Sequence, residues 1–198
     1  MADIISDVNA ERIGRVYGVQ YLASFYARKA GESDEWSQTE EAEKARVSFF
    51  SALLDADTLL QGTALISLTE LTAARPEIDR TALTDKALHS VRSSDTSPTV
   101  RAASFQYCAR FKIPMALEAA RIWAEKTDEV FVSMSALYLI GEIGTNEDAR
   151  KVRHWMNQPR QKAKRRAMEI ALAKIERRQK DSHKTDLMEE NDDGLHQR

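Results

Sequence analysis

Residues 98–126 reappear in pattern as residues 130–158, at a constant offset of 32. Val100 falls on Val132, Phe105 on Leu137, Phe111 on Ile143, Arg121 on Arg153 and Trp123 on Trp155. The repeated unit reads as helical, because no glycine occurs between Gly62 and Gly141 and breakers are therefore scarce. A helical hairpin is too thin to bury its own apolar face, so the next hairpin must cover it. The spacing therefore implies an all-α chain of about nine helices, stacked as an α-solenoid with an open inner face suited to binding.

The four prolines punctuate this array, since a first-turn proline gives up only an N–H that has no helical partner. Pro98 opens a helix to about Phe111, Pro114 one to about Lys126 and Pro159 a long basic helix to about Lys180. Pro76 separates Thr58–Ala74 from a helix beginning near Asp79. Thr127 or Asp128 is placed to cap a helix to about Ile143, and Thr145 to Asp148 has capping-box spacing for the next. Val132, Ala136, Leu139 and Ile143 share one helical face, as do Leu65, Leu68 and Leu71, and both rows read as core. Residues 61–71 lie on 101–111 at an offset of 40, which adds a looser unit. Three hairpins follow, at 57–93, 97–126 and 128–157, with a final single helix. Residues 1–56, read as helices near 9–30 and 39–54, form an atypical helical cap, residues 57–180 the repeats with the terminal basic helix, and 181–198 an acidic tail expected to lack fixed structure.

The segments Ser97-Pro98-Thr99-Val100-Arg101-Ala102-Ala103 and Val132 through Gly144 resemble the first helices of bacterial HEAT-like repeats, and Ala116-Leu117 and Asp148-Ala149 resemble the start of their second helices. The resemblance covers 97–157 well, 57–93 loosely and 1–56 hardly at all. Lys112 stands where Gly144 does, and Ser133 replaces the Arg seen at Arg101. The resemblance implies a short right-handed α-solenoid of HEAT-like helical hairpins. Some HEAT-like proteins are enzymes, but their patterns are missing. Di-iron hydroxylases need paired His-Glu motifs, whereas none of His89, His154, His183 and His196 is followed by Glu. DNA glycosylases of this architecture need a basic groove with aromatics. Trp123, Trp155, Arg121 and Arg153 fit that less well than they fit hairpin packing.

No catalytic triad, metal cluster or phosphate loop occurs at usable spacing, and Gly141-Glu142-Ile143-Gly144 reads as a helix end. No cofactor is implied and a non-catalytic role is expected. The lone Cys108 sits in an apolar row, which suggests a small buried hydrophobe and a reducing compartment. The start has no basic leader and no window is apolar enough for a membrane span, so a cytoplasmic protein is expected.

The formal charge of −2 conceals a segregation. From Asp148 to Lys180 twelve Lys and Arg face three acids (+9), while from Glu32 to Asp57 eight acids face two cations (−6). Arg150, Arg153, Lys164, Arg165, Arg166, Arg177 and Arg178, with Arg121, are the candidate basic contact residues; Ala163, Ala167, Ile170, Ala171 and Ile175 are expected to pack inward. Within the basic helix Arg160, Lys164 and Lys174 to Arg178 are expected to form a continuous stripe, which suits an acidic protein surface or phosphates. The acidic first half and the acidic tail weigh against nucleic acid, which leaves a protein partner as the first reading, the chain serving as an adaptor or an inhibitor such as an immunity protein, nucleic acid as the second, and a head-to-tail homo-oligomer of acidic and basic ends as the third. Tyr17, Tyr21 and Phe25 recur every four residues beside Arg28. They read first as core of the cap; as a contact surface, Tyr17 and Tyr21 with nearby Trp36 are the second candidate. Gly14 and Gly18, one turn apart, read as a weak close-packing pair.

Overall fold

The computed structural model describes residues 2–193 except 34, 76, 77 and 127, with side chains to residue 181. All regular structure among them is helical, with no strand. Ten α-helices follow in order: α1 (Ala2–Ser6), α2 (Arg12–Glu32), α3 (Glu40–Leu53), α4 (Thr58–Ala74), α5 (Thr81–Arg92), α6 (Pro98–Arg110), α7 (Leu117–Glu125), α8 (Val130–Ile143), α9 (Asn146–Met156) and α10 (Arg165–Asp193). None is long and apolar enough to cross a membrane.

Local chemistry sets most of these starts. Asp57 accepts from the Leu59 and Leu60 amides at 2.8 and 3.4 Å and begins α4, while Ser97 caps α6 with Pro98 in its first turn. The Asp148 carboxylate accepts from the amide and hydroxyl of Thr145 at 2.8 and 3.1 Å, the acidic arm of a capping box. Pro114 and Pro159 open 3-10 turns, Pro114–Ala116 and Pro159–Lys164, and only then do α7 and α10 begin. Pro76 and Thr127 lie outside the described residues, and the N-cap of α8 is Glu129, which makes no side-chain cap. α10 continues to Asp193 rather than ending near Lys180, because no glycine or proline interrupts 160–193. The backbone of 181–193 continues α10, and residues 194–198 lie outside the described residues.

The chain divides into two compact units, Met1–Phe111 and Lys112–Arg198. In the first, α2, α4 and α6 lie side by side in one layer, with α3 against α4, α5 against α6, and α1 against α2 and α3. In the second, α8 and α10 lie side by side, with α7 against α8 and α9 against α10. Each outer helix therefore packs on the helix that follows it. The expected hairpins 57–93 and 128–157 join α4 to α5 and α8 to α9, and those pairs make no extensive contact. The pairing is displaced by one helix.

One residue position accompanies the displacement in four helices. The fourth residue of α2, α4, α6 and α8 is Arg15, Gln61, Arg101 and Ser133. Arg15 Nε donates to the Ile5 carbonyl at 3.0 Å, and Gln61 Nε2 donates to the Asp55 carbonyl. Arg101 donates to the Ser93 and Ser94 carbonyls at 2.8 and 3.1 Å, and Ser133 Oγ to those of Trp123 and Lys126, each at 2.8 Å. Each donor ties the start of its helix to carbonyls in the last turn of the preceding one or in the residues just after it. Ser133 performs the task of Arg101 with a shorter side chain.

Burial follows the expected rows. Val100, Phe105, Cys108, Val132, Leu137 and Leu139 are all buried, as are Leu65, Leu68 and Leu71. Ile143, at the last turn of α8, is only half-buried. Neighbouring helices of one layer meet where side chains are smallest. A Cβ on Gly62 would come within 2.9 Å of Thr99 Cγ2, and one on Gly141 within 3.0 Å of the Ala171 Cα. Lys112 carries the one left-handed backbone among the described non-glycine residues, at φ 50°, at the position where Gly144 stands in the next unit.

Candidate functional site

The basic residues of the second unit are mostly engaged within it. Lys164, 1% exposed, donates from Nζ to the carbonyls of Ala124 (2.7 Å) and Lys126, and Gln161 Nε2 donates to Glu125 at 2.9 Å. With Ser133 they cover the whole C-terminal end of α7. Burial holds the Lys164 pKa down at about 8. Arg178 donates to the Gly141 carbonyl and, at 2.7 Å, to that of Gly144, capping α8 from α10. Arg121 pairs bidentately with buried Asp148 at 2.7 and 3.0 Å. Against the burial that would raise it, the Arg121 and Thr145 hydrogen bonds hold the Asp148 carboxyl below its ordinary range.

On the surface, Arg153 meets Glu176 at 2.5 Å, Arg166 meets Glu169 at 3.4 Å and Arg177 meets Asp181 at 3.9 Å. Arg150 and Arg165 are exposed, and Arg165 reaches the Met156 carbonyl at 3.4 Å. The continuous basic stripe expected along α10 is therefore broken. Its inward face also differs: Met168, Ala171 and Ile175 are buried, whereas Ala163 and Ile170 are exposed and Ala167 is half-buried.

In the first unit the order of readings for the aromatic stripe is reversed. Tyr17 and Tyr21 are 63% and 68% exposed, and Phe25 is half-buried. With Gln20, Ser24 and Arg28 they border an open groove of about 680 Å³ along α2. Trp36 is half-buried and packs edge-on against Phe25 and Tyr26, with ring centroids 5.9 and 5.0 Å away, while its Nε1 donates to Glu41 at 3.2 Å. It supports α2 more than it presents a surface. Gly18 lies under Ile5 of α1, and a Cβ on Gly14 would meet open space, so the two glycines form no common contact.

The second unit carries a surface missed in the sequence. Phe131, Met134 and Tyr138 stand at i, i+3 and i+7 on α8, exposed, and Ile170 of the adjacent α10 is exposed as well. Lys174 joins the two helices, its Nζ 4.3 Å from the Tyr138 ring centroid and paired with Glu142. The signal was present: α8 is apolar on two faces, and only the Val132 row is needed for core.

The described residues hold no group of three or more metal-ligating side chains. His89 and His154 are exposed on separate units, the side chain of His183 is not described, and His196 lies outside the described residues. Cys108 is buried, and burial pushes its thiol pKa up to about 12, so it is a poor nucleophile at neutral pH. Trp155 is buried as packing, whereas Trp123 is half-buried under Lys126 Nζ at 3.6 Å. No protein-family model, curated protein or solved structure matches the chain.

Proposed function

We propose that this chain is a non-catalytic protein-interaction module, a short right-handed α-solenoid of HEAT-like hairpins in the pairings α3–α4, α5–α6, α7–α8 and α9–α10, acting as an adaptor or an inhibitor. The carrying observation is the exposed Phe131, Met134, Tyr138 and Ile170 face. A regular helix surface of aromatic and sulfur side chains, edged by cations, has the composition of an interface centre. The internal pairing of Arg121, Lys164, Lys174 and Arg178 supports a protein partner over nucleic acid, because those cations are not free to neutralise phosphates.

The test uses wild-type protein and a Phe131→Asp, Tyr138→Asp variant as baits in extract of cells that make the protein. A protein captured in near-stoichiometric amount by wild type and lost from the folded variant is expected. Retention of nucleic acid instead, reversed by salt and indifferent to the two substitutions, would favour the nucleic-acid reading.

A further inference from the structure

The outer face of α2 is an uncovered helix-packing face. The corner residues Arg15 and Gln61 set α2 on α4 at an offset of 46, which places Tyr17, Tyr21 and Phe25 on Thr63, Ser67 and Leu71. All three α4 residues are buried. At about 100° per residue they lie some 100–180° around α4 from Gly62. Gly62 meets Thr99 of α6, so they look away from α6, to the side where α2 packs. α2 thus presents to solvent the face by which α4 receives a neighbouring helix, and on α2 that face carries exposed tyrosines where α4 has Thr and Ser.

We infer that a second copy of this chain covers that face, α2 packing antiparallel on α2 about a two-fold axis near Val19 and Gln20. The charges select this arrangement. Exposed Arg28 stands toward one end of the stripe and the exposed carboxylates Asp7 and Glu11 at the other, with Glu32 already paired to Lys29 at 3.0 Å and Arg12 to Asp57 at 2.6 Å. Antiparallel pairing brings Arg28 of each copy to the Asp7–Glu11 end of the other; parallel pairing would bring like ends together. The same register sets Tyr17 against Tyr21 of the second copy and Ser24 against its Gly14, where the absence of a Cβ leaves open space. One isologous patch then serves both copies and leaves no second copy of the stripe open.

Light scattering after gel filtration of the full chain tests this. A dimer is expected that dissociates on dilution through roughly micromolar concentration, as suits a small interface. Tyr17→Glu with Tyr21→Glu, both exposed, should give a folded monomer. Arg28→Glu should weaken the dimer about fivefold, as an exposed ion pair would, and Glu11→Arg on the same chain should restore it. Gln20→Cys, beside the axis, should oxidise to a covalent dimer at a rate that the double tyrosine variant abolishes. A wild type monomeric at all accessible concentrations overturns the inference. So does a dimer that survives the double tyrosine substitution.

Discussion

Lys164 and Asp148 sit in the same unit, both 1% exposed, and each makes stability rise with pH, in a different pH window. For Lys164 the folded pKa of about 8 lies below the ordinary 10.5, so between those values the unfolded chain holds a proton that the folded chain has shed, and stability rises with pH across that window. Lys164→Met titrates nothing there. The stability gap of wild type over this variant, from urea unfolding, should widen as pH goes from 8 to 10, and a gap that narrows would refute the assignment. Asp148 acts in the same sense but in the acid range: its folded pKa is lowered, so its contribution is complete above the ordinary carboxylate range and is lost as pH falls through the folded value. Asp148→Ala removes the α9 cap and strands half-buried Arg121, and should cost about 3 kcal/mol at neutral pH. Arg121, placed by sequence among the contact residues, is spent on this pair. Sequence identifies the cation but not the carboxylate 27 positions away that claims it.

At the scale of helices, the apolar rows were legible because burial imposes the 3.6-residue period directly on the residue types. Leu139→Ala, at a fully buried site, should cost about 2–5 kcal/mol in thermal or urea unfolding; a cost near zero would mean the α8 row is not core. The phase of the hairpins was not legible, since an offset of 32 is the same whether an outer helix packs on the helix before or after it. The phase is marked by a donor at the fourth position of α2, α4, α6 and α8, where Arg, Gln, Arg and Ser share a function without sharing an identity. Closeness of helices is a second element-level quantity. Gly141→Ala forces a Cβ onto the α10 backbone at Ala171 and should destabilise by about 1–3 kcal/mol. Gly31→Ala, with open space around it near the end of α2, should be neutral or stabilise by up to about 1 kcal/mol. Equal effects of the two would remove the close approach as an explanation.

Over the molecule as a whole, the +9 excess between Asp148 and Lys180 invited a nucleic-acid reading, and three-dimensional pairing changes its meaning. Charge arithmetic along a chain cannot register that Lys164 and Arg178 cap helix ends or that Arg121, Arg153 and Lys174 meet carboxylates on neighbouring helices. The cations best placed to meet an outside ligand are Arg150, Lys162, Arg165 and Arg166, all exposed. Each phosphate neutralised contributes roughly −0.9 to the slope of log affinity against log salt on duplex DNA, so even four such contacts would give a slope no steeper than about −3.6. Duplex binding measured by fluorescence anisotropy should accordingly be weak at physiological salt, and reversing these four residues to Glu should remove what remains without unfolding the chain, since only Arg165 reaches a helix-end carbonyl, that of Met156, and at a long 3.4 Å. Arg178 is left out because its reversal would set a carboxylate against the Gly141 and Gly144 carbonyls. Tight binding with a slope well beyond that value would require cations outside these four, and would overturn the protein-partner reading.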